Sequence, residues 1–122
     1  MKEPEKITID EVEYVRKDSI KTETKDVNGL EYVICRTYSA GVHAGFLKSR
    51  TGKEAELLNA RRIYSWQGAA TLSQLAMEGS SKPESCKFPC EVNKIILTEV
   101  IEVIPCTTVA MCCIREVKVW KE

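Results

Sequence analysis

The chain has 122 residues, 43% of them hydrophobic and 30% charged, with 18 basic and 18 acidic side chains that cancel to a formal net charge of zero. That length suits one domain able to bury a core without disulfides. Neutrality argues against binding a long nucleic acid, because affinity for a polyanion grows with the number of phosphates neutralised, but it permits a small anion held by local cations.

Near the N-terminus Ile7, Ile9 and Val12, Tyr14 form two alternating runs among charges with Asp10-Glu11 between them, the pattern of a short hairpin or extended arm. Residues 21–28 are polar and read as a linker, so the expected division is an arm over 1–28 and a ligand-binding domain over 29–122. Met1-Lys2-Glu3-Pro4 has no apolar stretch behind it of the kind a signal peptide needs, and no run approaches the ~18 apolar residues of a membrane span. A cytoplasmic protein without a membrane partner is the expectation.

Residues 30–39 are rich in β-favouring side chains and bounded by Gly29 and Gly41, which predicts a strand. Residues 41–49 and 53–59, joined by a turn at Thr51-Gly52, continue it as an antiparallel meander. Leu72, Leu75 and Ala76 recur at helical spacing between a Thr71 cap and a Gly79 stop. Residues 80–92 form an irregular loop with Pro83, Pro89 and the aromatic Phe88. Residues 93–104 are apolar on both faces, which predicts one central strand covered on each side and ended by Pro105. A short helix over 106–115 with a threonine near its cap and a closing strand over 117–120 complete the expected fold. It is α+β: an antiparallel meander sheet packed with two short helices, plus the N-terminal hairpin or arm.

Little in this chain is equipped for catalysis. His43 is the only histidine, and Cys-His chemistry would require Cys35, Cys90 or Cys106 to reach it. Glu99 and Glu102 fall on opposite faces of their predicted strand, which does not make an acid/base pair. Cys86-x-x-x-Cys90 offers two thiolates where a structural zinc site wants four ligands, and buried thiols account for the six cysteines better. No catalytic residue, metal or cofactor is assigned.

What remains is a set of cations and aromatics. Residues 59–66 place Asn59, Arg61 and Arg62 beside Tyr64 and Trp66; arginine forks recognise phosphates and aromatic faces stack on bases. The alternative is a strand with packed rings and solvated arginines. Because neighbours on a strand leave on opposite faces, at most one of Arg61 and Arg62 serves a given pocket. Arg36, Tyr38, Phe88 and Arg115 extend the set, and Thr107 with Thr108 marks a helix start whose N–H groups suit an anion. Tyr38 and Trp66 read equally as core residues, and Arg115 as a solvated cation at a helix end.

Residues 36–43 (RTYSAGVH), 59–63 (NARRI), 72–78 (LSQLAME), 87–92 (KFPCEV) and 96–102 (ILTEVIE), taken in order, resemble the phage family of Thoeris anti-defence protein 1. The resemblance runs from about residue 30 to the C-terminus and leaves residues 1–28 unmatched. It implies a sponge that binds cyclic ADP-ribose isomers without cleaving them, in some members with a second site for cyclic oligonucleotides. It also implies α+β subunits assembled as a dimer or hexamer, with pockets near the subunit contacts. On this pattern Arg36, Arg61 and Arg62 contact anionic groups, Phe88 stacks on adenine, and Thr107 and Arg115 contact pyrophosphate or ribose. The alternatives are a hydrolase or lyase acting on the same signal, and a structural or protein-binding phage domain.

Overall fold

The computed structural model describes residues 25–26 and 29–122; the expected hairpin over residues 7–14 lies outside the described residues. The strands are β1 (Lys25–Asp26), β2 (Leu30–Thr37), β3 (Val42–Thr51), β4 (Glu54–Arg62), β5 (Val92–Leu97) and β6 (Val100–Pro105), and the helices are α1 (Leu72–Glu78) and α2 (Thr108–Glu116). All strand pairings are antiparallel, and the fold is α+β as expected. One correction concerns the polar linker, since Lys25 and Asp26 pair with Glu31 and Leu30 at the start of β2.

A larger correction concerns residues 93–104, which form two strands. β5 pairs with β4, β6 pairs with β2, and the order across the sheet is β6-β2-β3-β4-β5. Consecutive strands therefore occupy opposite edges. In a flat sheet those edges would stand about 19 Å apart, at ~4.8 Å per spacing. The connection from Leu97 to Val100 reaches at most about 10 Å, so the sheet has to roll until its edges meet at that corner. Val100 N–H donates to Lys53 O (2.9 Å) and Tyr38 N–H to Glu99 O (2.9 Å), fastening the corner to the β3–β4 turn and the end of β2.

Rolling explains why both faces of β2 are apolar. Val33 and Cys35 point into the roll and pack with Ala55, Leu57, Leu97 and Val100. Tyr32 and Ile34 point outward to a second core with Ala44, Phe46, Leu75, Ala76, Ala110 and Ile114, where the helices lie. The curvature is built in at bulges. Opposite Gly45, β4 carries an extra residue, and Asn59 adopts φ 49° there, a left-handed conformation that asparagine tolerates. A Cβ on Gly45 would come within 3.1 Å of the Ala60 Cα and the Leu58 carbonyl, a tight contact that backbone on the bulge would have to yield to relieve.

The helices start where their cap chemistry predicts. Thr71 Oγ1 accepts from Gln74 N–H (3.1 Å), and Gly79, at φ 75°, closes α1 by donating its N–H to Leu75 O. Thr107 Oγ1 accepts from Ala110 N–H (3.1 Å). Residues 117–120 are not a strand: the only pairing they make among the described residues is a parallel bridge between Val119 and Phe88. No helix among the described residues is long and apolar enough to cross a membrane.

Candidate functional site

The turn between β2 and β3 gathers several of the expected contacts. Ala40 O accepts from both His43 Nε2 (2.9 Å) and Arg62 Nη1 (2.7 Å), while Thr37 Oγ1 donates to Gly41 O (2.7 Å). Ser39 Oγ donates to Glu99 (2.7 Å), and Arg36 Nε to Glu102 (3.0 Å). Glu99 and Glu102 are thus acceptors that fix this turn. On it Tyr38 stands 79% exposed, so it is not core. Burial lowers the His43 pKa below the ordinary imidazole value, opposed by the Ala40 hydrogen bond and reinforced by Arg62, which leaves the ring neutral at pH 7.

Arg61 and Arg62 do leave opposite faces of β4, and their fates differ. Arg62 is exposed, whereas Arg61 is only 2% exposed. Its guanidinium donates to Pro89 O (2.7 Å), Ile114 O (2.8 Å), Phe88 O (3.0 Å) and, at 3.4 Å, Arg115 O. Two of those carbonyls belong to the last turn of α2, where no intrahelical donor is available and the dipole favours a cation. Burial lowers the Arg61 pKa, with Glu91, Tyr32 and Cys90 opposing. Arg61 is accordingly a structural knot that ties α2 to the 88–89 loop, and its donors are spent there rather than on a ligand.

Phe88 is fully buried beneath that knot, with the Arg61 guanidinium 5.5 Å from its ring centroid. The stacking role expected for it is corrected, because it presents no face to a base. Asn59 is the bulge residue described above. Thr107 is buried at the α2 cap, its hydroxyl donating to Met77 O (2.7 Å) and its N–H to Ala76 O (3.0 Å). The anion site expected at that helix start is therefore filled by α1. Trp66 is half-buried and donates Nε1–H to Ala69 O (3.0 Å). Arg115 holds Glu91 through two bonds (2.8 and 3.2 Å) and lies 5.4 Å from the Phe46 ring centroid, beside an open cleft that both ion-pair partners line with Met111, Cys112 and Glu116.

A different group has the character of a binding face. Tyr64 and Trp120 stack with centroids 4.9 Å apart and planes 12° from parallel, yet are 62% and 42% exposed. The Lys87 ammonium lies 5.6 Å from the Trp120 centroid. Beside Trp120 a pocket of about 520 Å³ is lined by Glu84, Cys86, Lys118 and Lys121. Local bridges build this platform: Ser65 pairs with Lys87, Val119 with Phe88, and Trp120 N–H donates to Phe88 O (3.0 Å). In the sequence Tyr64 stands out only as part of its segment, and Trp120 reads as part of a closing strand. The lysines flanking Val119-Trp120 were the available signal.

Burial pushes the Cys35 thiol up to about 11 and Cys106 up to about 12, so both stay protonated at neutral pH. Among the described residues no cluster of three or more His, Cys, Asp or Glu side chains suits a metal ion.

A family model described as a domain of unknown function, DUF6948, matches residues 30–114, more than two thirds of the chain. The chain belongs to the DUF6948 family. No curated protein and no solved structure matches it. The DUF6948 match takes in the rolled sheet, both arginines of β4, Tyr64, Lys87 and nearly all of α2, and it stops before Lys118 and Trp120. The platform thus joins residues inside the DUF6948 stretch to residues just beyond it.

Proposed function

We propose that this protein binds and sequesters a cyclic ADP-ribose isomer without cleaving it, acting in an infected bacterial cell as a phage anti-defence protein that blocks Thoeris signalling. The biological setting rests on the sequence resemblance of the five segments. The ligand class is supported by one observation above the others: the exposed Tyr64–Trp120 stack with Lys87 over the indole and Lys118 and Lys121 around the adjoining pocket. An exposed aromatic face offers a base roughly 1–3 kcal/mol of stacking, and lysines meet phosphates as point charges. Nanomolar capture needs about 12 kcal/mol, so the pyrophosphate contacts have to supply most of it in a preorganised pocket.

Sequestration asks for equilibrium binding and no transition-state machinery. A neutral, pinned His43 and protonated buried thiols accord with that. Self-association into a dimer or hexamer belongs to the same reading, supported by exposed Ile96 and Ile101 beside the sheet edges, which offer apolar contact to another subunit.

The test is capture and release. Protein incubated with a cyclic ADP-ribose isomer is freed of unbound ligand by gel filtration, denatured by heat, and the supernatant is analysed by mass spectrometry. Recovery of intact ligand in stoichiometric amount is expected, and its loss in Trp120→Ala protein ties capture to the platform. A converted product makes the protein a hydrolase or lyase, and no retained ligand removes the nucleotide reading.

A further inference from the structure

A smaller recess lies on the side of β4 that bears Arg62. A cavity of about 170 Å³ lies there, walled by Ala60, Pro89, Val92 and Ile95, with His43 and Arg62 as its nitrogen-bearing groups and Cys90 at its rim. It falls below the ~300 Å³ at which pockets begin to accept drug-sized ligands, so a nucleotide is excluded and a molecule of a few heavy atoms is not.

Its two nitrogen groups are set for different partners. His43 is 1% exposed and makes its one hydrogen bond through Nε2 to Ala40 O. A carbonyl only accepts, so Nε2 carries the proton, and in the neutral ring Nδ1 is a bare acceptor. Nδ1 has no hydrogen-bond partner among the described residues. Arg62 is held at the same carbonyl by Nη1 alone, which fixes the guanidinium while Nε and Nη2 make no hydrogen bond among the described residues. The cavity is thus lined by an arginine with one hydrogen-bonded edge, a histidine whose Nδ1 makes no hydrogen bond among the described residues, and an apolar wall.

We infer that this cavity binds a short-chain hydroxy acid, its carboxylate on the free edge of Arg62, its hydroxyl donating to His43 Nδ1, and its alkyl chain against Ala60, Val92 and Ile95. A planar guanidinium edge matches a carboxylate through two parallel bonds. A donor that reaches Nδ1 pairs with an acceptor that makes no hydrogen bond among the described residues. The site is separate from the Tyr64–Trp120 platform, and its occupancy does not depend on the nucleotide reading.

The experiment is an NMR titration of the full chain with 3-hydroxybutyrate, butyrate and butyramide. It follows the Ala60, Val92 and Ile95 methyl resonances and the His43 ring nitrogens. Saturable shifts at millimolar 3-hydroxybutyrate are expected, with the Nδ1 resonance moving as it accepts a hydrogen bond. Butyrate binds more weakly and leaves Nδ1 in place. Butyramide, and 3-hydroxybutyrate with Arg62→Gln protein, lose about tenfold or more through the missing charge-assisted bonds. Three outcomes overturn the inference: no saturable shift with any probe at tens of millimolar, butyramide equal to butyrate, or an Nδ1 signal that ignores the hydroxyl. The ligand comparison is made on unaltered protein, so a folding defect in Arg62→Gln does not blunt it.

Discussion

Replacing Arg61 separates a structural arginine from a ligand-binding one. Its guanidinium makes three bonds of 3.0 Å or shorter to Pro89 O, Ile114 O and Phe88 O. Hydrogen bonds to a charged group contribute about 1.5–3 kcal/mol each, so the low end of that range gives roughly 4–5 kcal/mol for the three. Relief of the desolvation that burial imposes on the cation offsets part of this, whereas stranding the carbonyls in the core adds to the loss. Arg61→Ala is therefore expected to destabilise the fold by about 3–5 kcal/mol, against ~1 kcal/mol or less for Arg62→Ala, which loses one exposed hydrogen bond. Arg61→Met fills the volume but leaves the same carbonyls without donors, so it stays destabilised by about 2–4 kcal/mol and shows that hydrogen bonding, not packing alone, is at stake. Urea denaturation followed by far-UV circular dichroism measures all three. An Arg61→Ala midpoint within about 1 kcal/mol of the parent would refute the knot, and doubly so if that variant lost nucleotide binding while keeping its stability.

Four further outcomes are expected. Phe88→Ala opens a void in the outer core and destabilises by about 3–5 kcal/mol in denaturant melts; a stable variant that merely loses ligand would restore Phe88 as a contact. Trp120→Ala removes an exposed stacking face, so calorimetric affinity for a cyclic ADP-ribose isomer falls by about 1–3 kcal/mol while thermal stability moves little, and an unchanged affinity counts against the platform. The Tyr32 hydroxyl is buried with no hydrogen-bond partner among the described residues, so Tyr32→Phe is neutral or stabilising by up to ~1–2 kcal/mol; a loss above ~1 kcal/mol would reveal a partner. His43 has a folded pKa below its unfolded value, so the unfolded chain binds the extra proton as pH falls. His43 therefore contributes stability that is full above about pH 6.5 and declines below it, and His43→Gln shows a shallower loss between about pH 7 and 5 in parallel melts.

Helix ends were legible because their chemistry is local. Thr71 and Thr107 cap within three residues of themselves, and Gly79 stops α1 at the next position in the chain. The division at Thr98-Glu99 was not legible. A run apolar on both faces fits a central strand, and it fits equally two edge strands of a sheet that rolls over its own interior; no glycine or proline marks the corner. Period-two geometry placed Arg61 and Arg62 on opposite faces, but only the arrival of α2 and the 88–89 loop determines which one is buried. The same limit hid the Tyr64–Trp120 pair, whose members lie more than fifty residues apart and meet through two isolated bridges, Ser65 with Lys87 and Phe88 with Val119.

The knot and the platform share an atom, and that bears on how any binding defect is interpreted. Phe88 O accepts from Arg61 Nη2 (3.0 Å) and also from Trp120 N–H (3.0 Å). One of the carbonyls that hydrogen-bond the buried cation thus also positions the backbone carrying the exposed indole, so Arg61 acts on the platform through the backbone alone. Holding Trp120 parallel to Tyr64 before a ligand arrives reduces the ordering cost that an exposed aromatic otherwise carries into binding. A weakened affinity in an Arg61 variant is then a loss of preorganisation. A direct contact would lose ligand enthalpy with the stack intact, whereas loosening the anchor disturbs the Tyr64–Trp120 stack even in the free protein, where tryptophan fluorescence reports it.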